Sequence, residues 1–171
     1  MKRLLFLALL ATSGQAQITN INYFEANFTQ SIVDDQNKTI VYQGHVKAAK
    51  PQYALWEYKS PVEKKVYILP HKVIVVEPEL EQAIIKKISG NFDFFSLIKH
   101  AKEIDKDHYL AHFKDKSYYI NLTNSTLSSI SYKDEFDNSV TINFTKVDEK
   151  KKIERKDFVP NIPEDYDLIK E

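Results

Sequence analysis

The chain has 171 residues, 24 basic and 24 acidic side chains, and no cysteine. This length suits a single domain, and a formal charge of zero argues against a nucleic-acid binder, which carries a basic excess on one face. The absence of cysteine excludes disulfides, thiolate metal sites and cysteine nucleophiles, and the three glycines cannot form a glycine-rich phosphate loop.

The first residues indicate an export signal. A positive head precedes an apolar stretch over residues 4–11, which is far shorter than the ~20 residues of a membrane-spanning helix. Gly14 and Ala16 then place small residues at the spacing that a signal peptidase accepts. We therefore predict a signal peptide over residues 1–16, cleaved near Ala16, and one exported domain over residues 17–171. An ordinary amphipathic N-terminal helix is the alternative, but no charge interrupts the apolar stretch.

The first half of the exported chain alternates between apolar and polar side chains at the period of a β-strand. This alternation covers residues 24–32 and 40–48, and the turn-forming residues 34–37 between them predict a hairpin. Further strands are predicted at residues 53–58, 66–69, 73–76 and 82–88.

The period changes over residues 92–101. Phe92, Phe95 and Ile98 fall at helical spacing after Asn91, a suitable N-cap. A short helix with several phenylalanines needs a large apolar partner, so we expect this helix to pack against the sheet.

Alternation resumes in the last third of the chain. It predicts strands at residues 109–113, 118–122, 128–132 and 140–144, and a helical turn at 150–155. About ten strands at 8–12-residue spacing are typical of an all-β sandwich or barrel.

A sheet with one apolar face must curl or pair with another layer. A curled sheet can enclose a hollow, with the helix over residues 92–101 as a lid that an apolar ligand displaces. A filled β-sandwich with one packed helix gives the same alternation, and periodicity alone favours that filled core. Both architectures therefore stay open at this point. The side chains expected to line a hollow are Phe28, Tyr42, Trp56, Tyr58, Ile142 and Phe144.

The sequence contains no Gly-x-Ser-x-Gly or His-Glu-x-x-His motif. His108 and His112 lie in a strand-like segment, where four residues span ~13 Å, too far for a shared ion; we expect both at the surface. His45 is isolated in the sequence from other candidate groups. Asn37 begins a glycan acceptor sequon, Asn-Lys-Thr, with Asp35 two residues before it, but such short patterns occur by chance. We predict no catalytic residue, no metal and no cofactor.

Several groups of residues match one known family in their order and spacing. They are Phe24-x-x-x-Phe28-Thr29-Gln30, Tyr42-x-Gly44, Lys50-Pro51-x-x-x-x-Trp56-x-Tyr58-x-x-Pro61 and Val75-x-Glu77-Pro78-x-Leu80-Glu81-Gln82-Ala83. Near the C-terminus, Phe158, Pro160 and Asp165-x-Asp167-Leu168-Ile169 resemble that family's closing strand. With these features the chain resembles LolA, the periplasmic carrier of outer-membrane lipoproteins.

The resemblance implies an incomplete antiparallel β-barrel of about eleven strands, with a helical lid over an apolar cavity. It implies a non-enzymatic, monomeric periplasmic carrier that moves acylated lipoproteins from the inner to the outer membrane. The implied partners are the Lol ABC transporter of the inner membrane and a LolB-like or other outer-membrane acceptor, without nucleic acid. The residues assigned to acyl-chain binding are Phe28, Tyr42, Ala54, Trp56, Tyr58, Phe92, Phe94, Phe95, Ile98, Ile142 and Phe144.

Three positions depart from the family pattern. Lys50 replaces the usual arginine, which bonds lid carbonyls in the closed form, and Ala54 replaces a frequent aromatic residue. Only residues 17–22 precede the first strand, so the family's N-terminal helix is shortened. Because lysine lacks the planar fork of arginine, Lys50 predicts a more loosely held lid, and Ala54 a different cavity mouth.

Two other functions fit the same pattern. In one alternative, the protein has the same fold but carries a free lipid or glycolipid. In the other, the protein is an envelope sensor or adaptor whose lidded surface binds protein partners. A hydrolase has the least support, because no nucleophile and base form a motif.

Overall fold

The structure is a computed structural model that describes residues 21–88 and 94–171. Within these residues, twelve strands form one sheet, accompanied by one α-helix and two 3₁₀ turns. The strands are β1 (Tyr23–Val33), β2 (Thr39–Ala49), β3 (Tyr53–Ser60), β4 (Lys64–Leu69), β5 (Lys72–Glu77), β6 (Gln82–Lys87), β7 (Lys102–Asp105), β8 (His108–Phe113), β9 (Lys116–Thr123), β10 (Thr126–Lys133), β11 (Ser139–Asp148) and β12 (Asp167–Lys170). Helix α1 is Phe94–Lys99, and the 3₁₀ turns are Pro78–Leu80 and Arg155–Phe158.

The strand order is β12-β6-β5-β4-β3-β2-β1-β11-β10-β9-β8-β7. All neighbours are antiparallel except β12, which runs parallel to β6. The order ends at β12 and β7, which do not pair with each other, so the sheet is an incomplete barrel, as predicted. Both edge strands have four residues, all exposed, and such short edges limit pairing with other chains.

The predicted strands are confirmed to within a few residues, including the hairpin of β1 and β2. The described strands number twelve rather than about eleven. Strand β7 was not predicted from the residue pattern because none of its four side chains is buried and it therefore carries no apolar alternation. Helix α1 ends at Lys99, two residues before the predicted end of the helix over residues 92–101, and residues 92 and 93 lie outside the described part.

The predicted helical turn at residues 150–155 is wrong. Residues 149–151 follow β11 as a bend, and Asp148 Oδ1 accepts hydrogen bonds from the backbone N–H groups of Lys150 and Lys151, both at 2.9 Å. The 3₁₀ turn forms later, at Arg155–Phe158, where Glu154 and Asp157 form a capping box. Local capping by acidic side chains thus decides where the chain turns.

The two faces of the sheet carry separate apolar clusters. The inner cluster contains the inward-facing residues of β1, β2 and β8–β11 together with α1. The outer cluster lies on β3–β6 and is covered by the segment over residues 149–166, which contributes Ile153 and Phe158. Alternation along each strand explains both: in β3, Ala54 faces the inner cluster and Leu55 the outer one.

Candidate functional site

An apolar cavity lies between α1 and the inner face of the sheet. Its main chamber has a volume of about 310 Å³, and a second chamber of about 50 Å³ shares Trp56, Ile68 and Phe94 with it. The main chamber falls at the lower end of the ~300–1,000 Å³ typical of ligand pockets. Its walls are Gln30, Trp56, Tyr58, Val66, Ile68, Phe94, Leu97, Tyr118, Ile130, Tyr132 and Ile142.

The curvature of the sheet creates this chamber. Val66 of β4 and Tyr118 of β9 line the same space, although five strands lie between β4 and β9 in the sheet order. A flat sheet would hold these strands far apart, since neighbouring strands are ~4.8 Å apart. The curled sheet therefore surrounds the space on its sides, and α1 covers it.

Aromatic rings form the floor of the cavity around Phe28. The ring centroid of Phe28 lies 5.0 Å from that of Trp56 and 5.1 Å from that of Tyr58, both in edge-to-face geometry. Gly44 pairs with Phe28 across β1 and β2, and a Cβ atom at Gly44 would lie 2.7 Å from Phe28 Cζ. Glycine at this position lets the ring lie directly on the neighbouring strand.

Helix α1 closes the other side of the cavity. The ring of Phe94 lies 5.5 Å from that of Phe24 and 5.4 Å from that of Phe95, and Phe95, Leu97 and Ile98 are buried. The Lys50 ammonium lies 6.0 Å from the centroid of the Phe95 ring. Lys50 therefore reaches α1 by a cation–π contact at the outer limit of the usual range.

Polar groups are confined to one end of the main chamber. Gln30 is 8% exposed, and its Oε1 accepts a hydrogen bond from the Tyr58 hydroxyl at 3.0 Å. Burial raises the pKa of Tyr58, and the neighbouring Tyr132 and Tyr42 raise it further, so the hydroxyl stays protonated. The Lys64 ammonium lies 4.6 Å from the Tyr58 ring centroid, at the same end.

The structure brings together part of the predicted site. Trp56, Tyr58, Phe94, Phe95 and Ile142 line the two chambers. The remaining candidates lie around them: Phe28, Ala54, Ile98 and Phe144 are buried in the inner cluster, Tyr42 contacts Tyr58 edge-on at 5.7 Å, and Phe92 lies outside the described residues.

Sequence reasoning missed several wall residues, among them Gln30, Leu97 and Tyr132. One signal was available for Gln30. It stands in phase with Phe24 and Phe28 on the inner face of β1, so a polar side chain occupies an apolar position of the alternation. A polar residue in such a phase predicts a special role, because burial of an amide requires hydrogen-bond partners.

A polar network on the outer face corrects the expectation for His45. Its Nδ1 lies 2.9 Å from Asn27 Oδ1 and its Nε2 lies 3.0 Å from Glu25 Oε1, so it is not isolated. Lys151 completes the network with its Nζ 2.7 Å from Glu25 Oε2. Burial raises the pKa of the Glu25 carboxyl, but the bonds from Lys151 and His45 lower it more, and the net pKa is below the usual range.

His108 and His112 are exposed, as predicted. Among residues 21–88 and 94–171, no group of three or more histidine or acidic side chains is arranged to hold a metal ion. No helix in this part of the chain is long and apolar enough to cross a membrane.

The fold and the cavity define the class: an open, mainly β barrel with an apolar ligand space under a short helix. Residues 19–122 match the family described as "Outer membrane lipoprotein carrier protein LolA". The chain belongs to the LolA family, and the predicted resemblance is confirmed.

Individual relatives that share 30% or more of their residues with this chain support the assignment. The chain is 39% identical over 151 residues to the outer-membrane lipoprotein carrier protein of Campylobacter jejuni, with 88% of each chain covered. It is 32% identical over 151 residues to the protein of the same name from Helicobacter pylori strain J99, covering 88% of this chain and 80% of that one. A crystal structure of an uncharacterized conserved protein from Thermus thermophilus shares only the fold, with a TM-score of 0.55, 9% identity and coverage of 88% and 91%.

Proposed function

We propose that this protein carries acylated lipoproteins through the periplasm from the inner to the outer membrane, with their acyl chains in the cavity under α1. The observation that supports this is the main chamber of about 310 Å³, whose walls are mostly aromatic and aliphatic. Each methylene group kept from water is worth ~0.8 kcal/mol, so an acylated polypeptide needs such a shelter to cross an aqueous space.

We further propose that α1 acts as a lid. The main chamber is at the lower end of ligand-pocket volumes, so several long acyl chains need more room than it offers. Helix α1 has six residues and covers the chamber mainly with Phe94 and Leu97. Displacement of these two side chains would join the two chambers and enlarge the space, and acyl chains that bind the open state would shift the equilibrium towards it.

In this proposal the protein is exported, with cleavage near Ala16, and works without catalysis or cofactor. The implied loading partner is the inner-membrane Lol ABC transporter, which supplies the energy, and the acceptor is LolB-like or of another kind. The chain acts as a single carrier domain over residues 17–171, and Lys50 influences lid closure.

The single tryptophan provides the test. Trp56 lies in the walls of both chambers, so its fluorescence reports their occupancy directly. We expect a saturable change in emission on titration with a synthetic acylated lipopeptide, and none with the same peptide lacking acyl chains. No change with the lipopeptide would contradict the proposal.

Purification of the full-length chain from a bacterial periplasm separates the alternatives. Mass spectrometry of the bound material should detect acylated lipoproteins. Free lipid or glycolipid alone would favour the first alternative, and a protein partner that stays bound without acylation would favour the sensor or adaptor.

A further inference from the structure

The polar side chains of the main chamber all lie near one end of the sheet. Gln30 is three residues from the end of β1, Tyr58 two from the end of β3, and Tyr132 one from the end of β10, while Tyr118 is two residues from the start of β9. Strands β1, β3 and β10 run in one direction and β9 in the other, so these positions lie towards the same end of the sheet. We call this end of the chamber the tyrosine end.

The opposite end of the cavity is more apolar, with two polar side chains in its lining against four in the main chamber. The second chamber is lined by Phe24, Val46, Ala48 and Phe95, which come from the start of β1, the end of β2 and α1. Gln52 and Tyr53 are the two polar side chains in its lining. The cavity therefore has a direction, from a hydrocarbon-like end to an end that carries one amide and three phenolic hydroxyls.

Apart from tyrosines, Gln30 is the only buried polar or charged side chain among the described residues, and its hydrogen bond with Tyr58 holds it in a defined orientation. Its Oε1 accepts the hydrogen bond from Tyr58, which leaves its Nε2 as a donor group on a cavity-lining side chain. Burial raises the pKa of the Tyr132 hydroxyl, so this group too remains a protonated donor. In a ligand with a hydrocarbon tail, the group best suited to accept hydrogen bonds from such donors is a carbonyl oxygen.

We propose that the tyrosine end is a subsite for the carbonyl group that links an acyl chain to the rest of the ligand. Gln30 is its central donor, oriented by Tyr58, and the tail of the chain points towards Phe24 and Phe95. This inference rests on the proposed function. It adds the direction in which an acyl chain enters and a preference for acyl esters and amides over hydrocarbon chains without a carbonyl group.

Two ligands that differ only in the carbonyl group test the subsite. One is a dodecanoyl ester of a short polyethylene glycol, and the other is the dodecyl ether of the same glycol, each kept below its micelle concentration. Binding to the purified chain is measured by calorimetry. We expect the unmodified protein to bind the ester more tightly than the ether, by about two- to tenfold for one or two net hydrogen bonds.

Gln30→Leu removes the amide at similar volume, and Tyr58→Phe removes only the hydroxyl. Both variants should weaken ester binding by about two- to tenfold and leave ether binding within about twofold. Tyr119→Phe is the matched control, because Tyr119 is 49% exposed and lies on β9 one residue from Tyr118, on the opposite face. It should change neither affinity.

The outcomes separate the two hypotheses. Equal loss of ester and ether binding in Gln30→Leu and Tyr58→Phe, or no loss of either, would overturn the subsite and leave the carrier proposal intact. An unmodified protein that binds neither ligand would overturn the carrier proposal and the subsite together. If Gln30→Leu fails to fold, as judged by thermal unfolding, the conservative Tyr58→Phe variant decides.

Discussion

Two segments cover the two faces of the sheet, and they differ in how closely they pack. We call the segment over residues 149–166 the outer cover and α1 the inner cover. On the outer face, the segment over residues 149–166 places Phe158 at 2% exposure against a surface in which Ala83 is fully buried. On the inner face, α1 leaves Trp56 and Tyr58 half-buried beside a chamber of about 310 Å³. Both covers use phenylalanine, yet one fills its surface and the other leaves space.

This difference assigns separate roles to the covers. Close contact across an interface gains dispersion energy that a void forfeits, so side chains that border the chamber, such as Trp56 and Phe94, stabilise the fold less than the closely packed Phe158 does. A ligand that fills the chamber under α1 would gain the dispersion energy that the empty space forfeits. The outer cover is also attached by the Glu25–Lys151 ion pair at 2.7 Å, whereas α1 is contacted by Lys50 at 6.0 Å from the Phe95 ring.

Removal of an aromatic ring from each cover gives the largest expected effect. Phe158→Ala should lower the free energy of unfolding by about 3–5 kcal/mol, because the ring is buried and packs against the Tyr53 ring, with the two centroids 5.6 Å apart. Phe94→Ala removes a half-buried ring of α1 and should lower the free energy of unfolding by less than half as much. Urea unfolding of both variants measures the difference. Equal losses would show that the two covers contribute alike.

Gly44 tests whether the inner face depends on close ring contact. In Gly44→Ala the new methyl group would meet the Glu57 carbonyl and the Phe28 ring, with Phe28 Cζ at 2.7 Å. We expect a loss of about 1–3 kcal/mol in unfolding free energy and a shift in Trp56 emission, since Phe28 contacts Trp56. Ala26→Gly, a methyl removal on the same face, should not shift the emission. An unshifted spectrum in Gly44→Ala would contradict this account.

The Glu25–Lys151 ion pair should make the contribution of the outer cover to the free energy of unfolding depend on pH. The pKa of Glu25 is lower in the folded chain than its usual value, so its contribution to stability is present above ~pH 4.3 and is lost as the pH falls through the folded pKa. Lys151 is 59% exposed, so solvent screening keeps this contribution small. Glu25→Gln should therefore be less stable than the unmodified chain at ~pH 7 and equally stable near ~pH 2. A difference that persists in acid would have another origin.

The strands of both faces could be predicted because the period-two pattern records directly which side chains are buried. Phe24, Ala26 and Phe28 alternate with Glu25 and Asn27, and the structure places the two sets on opposite faces. Strand β7 could not be predicted in this way, since it pairs with β8 through its backbone and buries no side chain.

The cavity itself was beyond the residue pattern. A filled core and a hollow one give the same alternation, and the volume depends on how far α1 stands from the sheet. Only the family resemblance favoured the hollow version. The network of His45 and Glu25 was also hidden, because these residues are twenty positions apart and meet only through the register that pairs Asn27 with His45. The phase of Gln30 in β1 was visible in the sequence, but its place in the cavity wall was not predicted from it.

The smallest expected effect concerns the attachment of α1. An ammonium group 6.0 Å from a ring centroid contributes about 0.5 kcal/mol at a solvent-accessible site, so Lys50→Ala should shift an open–closed equilibrium of α1 by about twofold. Fluorine NMR of a fluorinated phenylalanine at position 95 measures this shift. Lys50→Arg is the matched variant and should favour the closed state, since a guanidinium stacks on rings and offers a planar fork of donors. An unchanged spectrum in Lys50→Ala would show that the Lys50–Phe95 contact does not hold the helix closed, and the inner cover would then lack a counterpart to the Glu25–Lys151 ion pair of the outer one.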